Sequence, residues 1–228
     1  LIKSNYLLMI KNIIFDFDGV IGDSEVLVAK AFSKYLLKSG IIFEEKEFAS
    51  YAGKKTIEII NIISNKFNIE NQQKFFDDIM NIADDIYSKE LTCVIGVEKF
   101  LQKTNFNFYI GSNSVKKRIL IGLKKIQLIS FFPEKNIFTF DMVKIAKPEP
   151  DIYLNVIDSH KLNKEETIII EDSAVGVKAG VAAGIKVIGL TAGGHWYPSR
   201  STKELKEAGA YIIFDNYEKI LKEINNYE

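Results

Sequence analysis

The stretch Ile13-Ile14-Phe15-Asp16-Phe17-Asp18-Gly19-Val20 decides how the rest of the chain is read. Its apolar, β-branched and aromatic start predicts a buried strand, and Gly19 predicts the turn at which that strand leaves the core. Asp16 and Asp18 then stand at a carboxyl end, and because strand side chains alternate faces, residues two apart turn towards one site. A D-x-D pair alone is a weak signal. The apolar strand before it and the glycine after it make this one specific. Two carboxylates so close repel by about 4 kcal/mol at an effective dielectric near 20, so one must protonate or a cation must intervene.

Upstream, residues 1–8 are read as a disordered leader ahead of Met9, because the apolar run at 7–10 is broken too soon to be a signal segment. Downstream, residues 24–88 change to helical periodicity with no convincing strand. Beyond them, strand-like runs at 106–110, 167–170 and 185–190, and shorter ones at 137–140 and 211–214, alternate with helical stretches. That alternation predicts an α/β fold, a Rossmann-like parallel sheet built from 9–23 and 89–228 with an α-helical cap of residues 24–88 inserted after the first strand. A chain of 228 residues that is 47% hydrophobic can bury such a core. Thirty basic residues balance thirty acidic ones, which gives no net field for nucleic acid or anionic lipid. Cys93 is the lone cysteine and has no partner for an internal disulfide, and no apolar run approaches the roughly 18 residues that span a membrane. A cytoplasmic protein is expected.

Ligands of open parallel sheets bind outside the carboxyl ends of the strands. That rule gathers Asp16 and Asp18, Gly111-Ser112-Asn113, Lys147-Pro148 and Glu171-Asp172, which are far apart in sequence. Asp172 supplies a third carboxylate, and three oxygen ligands with room for water and a phosphate oxygen suit Mg²⁺. Ser112 follows a strand and precedes a helix starting near Val115, where it reads as an N-cap whose hydroxyl and neighbouring N–H groups cradle an anion. Lys147 supplies the cation that a dianionic phosphoryl group needs beside so many carboxylates.

The set Asp16-Phe17-Asp18-Gly19-Val20, Gly111-Ser112-Asn113, Lys147-Pro148-Glu149-Pro150-Asp151 and Glu171-Asp172-Ser173-Ala174-Val175-Gly176 resembles the four motifs of haloacid dehalogenase-like hydrolases. The likeness is nearest to the β-phosphoglucomutase-like branch with a helical cap and spans about residues 10–195. The resemblance implies a phosphatase of small phosphate esters, such as sugar phosphates. Asp16 would attack phosphorus and form an aspartyl-phosphate, while Asp18 would act as acid and then base. Asp16, the backbone carbonyl of Asp18 and Asp172 would hold Mg²⁺, with Glu171 behind them or as an alternative ligand. Ser112 and Lys147 would bind the phosphoryl oxygens, and Gly19, Asn113, Ser24, Glu25, Lys54 and Lys55 would meet the substrate. The dehalogenases lack the second aspartate, so Asp18 argues for phosphoryl transfer. The branch's mutases carry a histidine and an arginine where this chain has Val28 and Thr56, which favours a phosphatase over a mutase. Ile95 stands where the family usually has a proline.

A phospho-receiver switch also gathers acids, a hydroxyl and a lysine at sheet ends, but it has neither Asp18 nor a cap; a catalytically idle binding module would not fill every position. Gly176, Gly180 and Gly184 recur every four residues and read as a small-residue helix face packed on the sheet. Gly53-Lys54-Lys55-Thr56 is no phosphate-binding P-loop, since Phe48 stands where the earlier glycine belongs. His195, after Gly193-Gly194, reads as part of a surface loop, the alternatives being contact with substrate or support of the Lys147 region.

Overall fold

The computed structural model describes residues 10–48, 51, 56–198 and 200–225. The leader at 1–8 lies outside them, as do Lys54 and Lys55. The chain begins with β1 (Asn12–Phe15), followed by α1 (Glu25–Leu37), α2 (Glu45–Phe48), α3 (Thr56–Phe67) and α4 (Gln72–Glu90). Then come α5 (Val97–Lys103), β2 (Asn107–Ser112), α6 (Lys116–Lys125), β3 (Ile137–Thr139) and α7 (Asp151–His160). The last elements are β4 (Thr167–Glu171), α8 (Ala174–Ala182), β5 (Lys186–Leu190), α9 (Lys203–Glu207), β6 (Ile212–Phe214) and α10 (Tyr217–Asn225). The strands form one parallel sheet in the order β3-β2-β1-β4-β5-β6, so β1 is central and the chain reverses its direction of travel there. This is the doubly wound order whose switch point forms a ligand crevice.

Period-two alternation explains why β1 can be buried on both faces. Ile13 and Phe15 enter one apolar cluster with Ile110, Ile168 and Ile170, whereas Ile14 enters the opposite cluster with Tyr109, Ile169 and Val187. Phe15 meets Phe100, Phe108 and Phe132 edge to face, with centroids 6.2, 5.8 and 5.9 Å away. At the opposite end of the strand, the Asn12 side chain accepts a hydrogen bond from Asn107 at 3.0 Å and donates one to Thr167 at 3.4 Å. These are its register partners on both sides, so a polar ladder fixes the alignment that brings the carboxyl ends level.

The helices α1–α4 form the insertion between β1 and β2, and among the described residues it contains no named strand. Its entry and exit are joined: Asp23 N–H donates to Thr92 O and Val94 N–H to Ile21 O, both at 2.9 Å. Within it α1 packs on α4, where Phe32 and Tyr35 meet the Phe75 ring at 5.8 and 4.8 Å. α4 is capped by the Asn71 side chain, which accepts from Lys74 N–H at 2.9 Å.

Two sequence expectations change. Gly176 and Gly180 do sit where α8 meets the sheet, Gly180 within 2.8 Å, through an added Cβ, of Ile169 Cδ1. Gly184 lies past the helix end with φ +73°, a turn position that glycine adopts freely. Ser112 closes β2 and caps nothing, because α6 begins at Lys116 with Val115 as its N-cap.

Candidate active site

The ends of β1, β2 and β4 open onto one cavity of about 380 Å³, lined among others by Asp16, Asp18, Ser112, Lys147, Glu171 and Asp172. Asp16 continues the sheet, its N–H donating to Ile170 O at 3.0 Å, so its side chain is aimed by backbone pairing. After it the chain turns tightly, with Ile21 and Gly22 N–H both donating to Phe17 O at 2.9 Å. Gly19 holds φ +76°, and a Cβ there would overlap the Asp172 carboxylate and approach His195 Cε1 to 2.8 Å. The glycine therefore serves both the turn and the close approach of a third acidic group.

Lys147 is buried, and its ammonium donates to Asp16 Oδ1 and Glu171 Oε1, each at 2.7 Å. Burial works against its charge, but Asp16 and Glu171 outweigh that and hold its pKa well above the ordinary lysine value. Asn113 seats this lysine: its side chain accepts from Lys147 N–H at 3.0 Å and donates to Lys147 O at 3.3 Å. Both oxygens of Glu171 are occupied. Oε1 accepts from Lys147 and Tyr153 (2.9 Å), and Oε2 from Asp172 N–H, Ser173 N–H and Ser173 Oγ at 3.0, 3.1 and 3.0 Å.

Burial, only partly opposed by Lys147, pushes Asp16 well above the usual carboxylate range, with Glu171, Asp172 and Asp18 adding repulsion. Asp172 is raised in the same way, by burial first and Glu171 next. One oxygen from each of Asp16, Glu171 and Asp172 lies within 4.8 Å of the others, so the cluster could hold a metal ion. The donors fit a hard divalent cation: they are all carboxylates, they outnumber the single ammonium, and Asp16 Oδ2 and Asp172 Oδ1 have no hydrogen bond among the described residues.

Asp18 is built differently. Ser24 Oγ donates to its Oδ1 and Ser114 Oγ to its Oδ2, both at 2.5 Å. Arg118 lies 3.9 Å from Oδ1. Ser112 Oγ accepts from Ser114 N–H at 3.1 Å, which leaves its hydroxyl hydrogen to point elsewhere. Glu25 also lines the cavity.

The surface-loop account of His195 does not hold. Its Nε2 is 2.9 Å from Asp172 Oδ2, and the side chain is only 13% exposed, packed over Gly19. Burial lowers its pKa from the ordinary histidine value, so the neutral ring with Nε2–H donating to Asp172 fits best. Sequence reasoning also passed over Ser114, Arg118, Tyr153 and Arg200. Ser114 had a signal, being two residues past Ser112, and Arg118 lies one helical turn beyond Ser114; nothing in the pattern marked Tyr153 or Arg200.

A doubly wound parallel sheet with a helical insertion after its first strand, and with acids, a hydroxyl and a lysine at adjoining strand ends, defines a Rossmann-like α/β protein with an acidic ligand site at the switch point of its sheet. The sequence model of the haloacid dehalogenase-like hydrolase family matches residues 13–190, and the chain belongs to that family. It is similar to the 6-phosphogluconate phosphatase of Escherichia coli (strain K12), 26% identical over 195 residues that make up 83% of this chain and 86% of that one. It is also similar to the phosphorylated carbohydrates phosphatase of Thermotoga maritima, 27% identical over 220 residues, 93% of this chain and 98% of that one. A solved structure of a conserved haloacid dehalogenase-like protein from Agrobacterium tumefaciens superposes with a TM-score of 0.84 at 27% identity, covering 95% of this chain and 98% of that one.

Proposed function

We propose that this chain is a magnesium-dependent phosphatase of small phosphorylated metabolites, a sugar phosphate or a related phosphomonoester. The observation that carries the reading is the contrast between its two aspartates. Asp16 is buried and its carboxylate is fixed in direction by the buried Lys147, as a nucleophile requires, whereas Asp18 is held by two hydroxyls in the same cavity. The phosphatase names of its relatives from Escherichia coli and Thermotoga maritima support it.

In this reading Asp16 attacks phosphorus, and the ester P–O bond breaks as Asp18 gives a proton to the departing alcohol oxygen. Asp18, now a carboxylate, takes a proton from water, whose oxygen attacks the phosphoryl group and frees Asp16 and inorganic phosphate. Lys147 and the free hydroxyl hydrogen of Ser112 stabilise the phosphoryl oxygens. Asp16, Asp172 and the main-chain carbonyl of Asp18 would hold Mg²⁺, with Glu171 behind them, and the ion would add positive charge where the phosphoryl oxygens lie. Glu171 itself orients Lys147 and the Asp172 main chain. Residues 24–88 act as a cap, and Glu25, Lys54 and Lys55 meet the leaving group. Ser24 belongs to the support of Asp18.

Phosphate release from a panel of phosphorylated metabolites with Mg²⁺ tests the reading. Hydrolysis of at least one ester is expected. No release from any ester, including a generic aryl phosphate, overturns it; movement of the phosphoryl group within a sugar without release would make the chain a mutase.

A further inference from the structure

Arg118 lies outside the chemistry described above, yet its contacts join Asp18 to the helical insertion. It sits in the first turn of α6, and one end of its guanidinium approaches Asp18 Oδ1 to 3.9 Å. Another nitrogen, Nη1, donates to Asp84 Oδ1 at 2.8 Å, and the guanidinium carbon lies 3.9 Å from the centre of the Tyr87 ring. Asp84 and Tyr87 are on α4, about one turn apart, Tyr87 buried and Asp84 exposed. Tyr87 in turn donates its hydroxyl to the main-chain carbonyl of Arg118 at 3.1 Å, so that the two residues hold each other at both ends.

The seam is shaped for this contact. A Cβ on Gly122 of α6 would overlap Tyr87 Oη and approach Phe17 Cζ to 2.7 Å. Phe17 stands between the two aspartates, so the ring behind the site, the tyrosine of the insertion and the missing side chain of α6 meet at one place. An arginine suits the position because its planar fork can serve a carboxylate along one edge while its face stacks on an aromatic ring.

The geometry points to Arg118 as a positioning residue for Asp18, set in place by Asp84 and Tyr87, so that proton delivery to the leaving group depends on how the insertion is seated on the core. This rests on the phosphatase reading and on Asp18 as proton donor. Asp84 is two-thirds exposed and Asp18 is at the cavity edge, so separation of α4 from α6 would take both the ion pair and the ring from Arg118 while Ser114 still held Asp18 from the core side.

The test is kcat/KM for a series of aryl phosphates of similar shape and graded leaving-group acidity, from 4-nitrophenyl to phenyl phosphate. General acid assistance is worth about 10²–10⁴-fold, so misaligning the acid should cost the phenyl ester at least about tenfold more than the nitrophenyl ester. Arg118→Ala should therefore steepen the dependence on leaving-group acidity. Arg118→Lys should give an intermediate slope, and Asp84→Asn, which leaves Arg118 in place, should steepen it in the same direction. If Arg118→Ala fails to fold, the other two variants carry the test. Equal losses across the series would show a merely structural role and overturn the inference, as would an unchanged slope in Asp84→Asn. Wild-type protein that releases no phosphate from any ester would overturn the phosphatase reading itself, and this inference with it.

Discussion

Replacing Gly176 by alanine separates a helix glycine that is merely tolerated from one on which the site depends. In an ordinary helix interior the exchange stabilises by about 1 kcal/mol, because glycine carries an entropic cost that alanine lacks. Gly176 is on the first turn of α8 with no positive φ, so its backbone gives no reason for a glycine. The neighbour does. An ideal Cβ at 176 would overlap Oε1, Cδ and Oε2 of Glu171, whose carboxylate is wedged against the helix. Glu171 holds five hydrogen bonds from four residues, one of them from the buried ammonium of Lys147, so it has no free direction in which to withdraw. Losing the charged bond costs about 1.5–3 kcal/mol and one neutral bond about 1 kcal/mol. Less about 1 kcal/mol of helix propensity, the net is a destabilisation of about 1.5–3 kcal/mol. For a chain of this size that is a fall in Tm of roughly 3–12 °C. Thermal and urea melts of Gly176→Ala measure it, and phosphate release should fall by about tenfold or more as Lys147 loses its second anchor. A variant as stable as wild type, or more stable by the usual 1 kcal/mol, would refute the tie between α8 and Lys147.

Asp16→Asn should reduce turnover by about three orders of magnitude or more, with no aspartyl-phosphate trapped after acid quench, because an amide is no nucleophile; substantial activity would sink the proposed mechanism. Asp18→Asn keeps the main-chain carbonyl, so single-turnover experiments should show Asp16 still phosphorylated by a good leaving group while its hydrolysis slows, and equal loss of both half-reactions would count against the assigned role. Asp16 and Asp172 have folded pKa values above the ordinary carboxylate range, so the stability they lend the metal-free protein is present below about pH 4 and is lost as pH rises through those raised values. Mg²⁺ favours the ionised forms, so melting temperatures in Mg²⁺ and in EDTA should diverge as pH rises, by roughly 5–11 °C at a hundred times Kd; a gap that closes with rising pH would contradict the metal site.

What the sequence made legible was whatever lies along one strand and its exit. Ile13 to Gly19 and Ile168 to Asp172 each join an apolar run to acids within a few residues, and the strand rule alone brings them together. Ser112 was found for the same reason, though its supposed role as a cap was not, since the loop from Asn113 to Val115 postpones α6. Lys147 was identified by type but not by seat: β3 ends at Thr139, and the irregular chain from Phe140 onwards gives no period from which to infer that Asn113 grips its backbone. Arg118 was out of reach because its partners come from α4, more than 30 residues earlier, and helix-to-helix contacts of that kind leave no pattern along either helix. His195 misled because two glycines before a histidine resemble a solvent loop. The feature that admits it to the site is on another segment, the bare Cα of Gly19.

The two halves of the site are therefore supported from different sides. Asp16, Lys147, Glu171 and Asp172 are fixed by the sheet, by Asn113 and Tyr153 of the core, and by main-chain N–H groups at the end of β4; among the described residues, their hydrogen-bond partners all belong to the core. Asp18 is the exception, held by Ser24 at the start of the insertion and by Ser114 and Arg118 from the core, the arginine itself being gripped by α4. A nucleophile needs a fixed line of attack whatever ester arrives, and a rigid sheet supplies it. On the proposed mechanism a proton is useful only when the leaving group is in place and water is excluded, so Asp18 would gain as donor by being tied to the insertion proposed as the cap. On this division, substitutions around Asp16, Lys147, Glu171 and Asp172 should lower turnover of all esters alike, and those in the insertion or at Arg118 should change how strongly the rate follows the acidity of the alcohol.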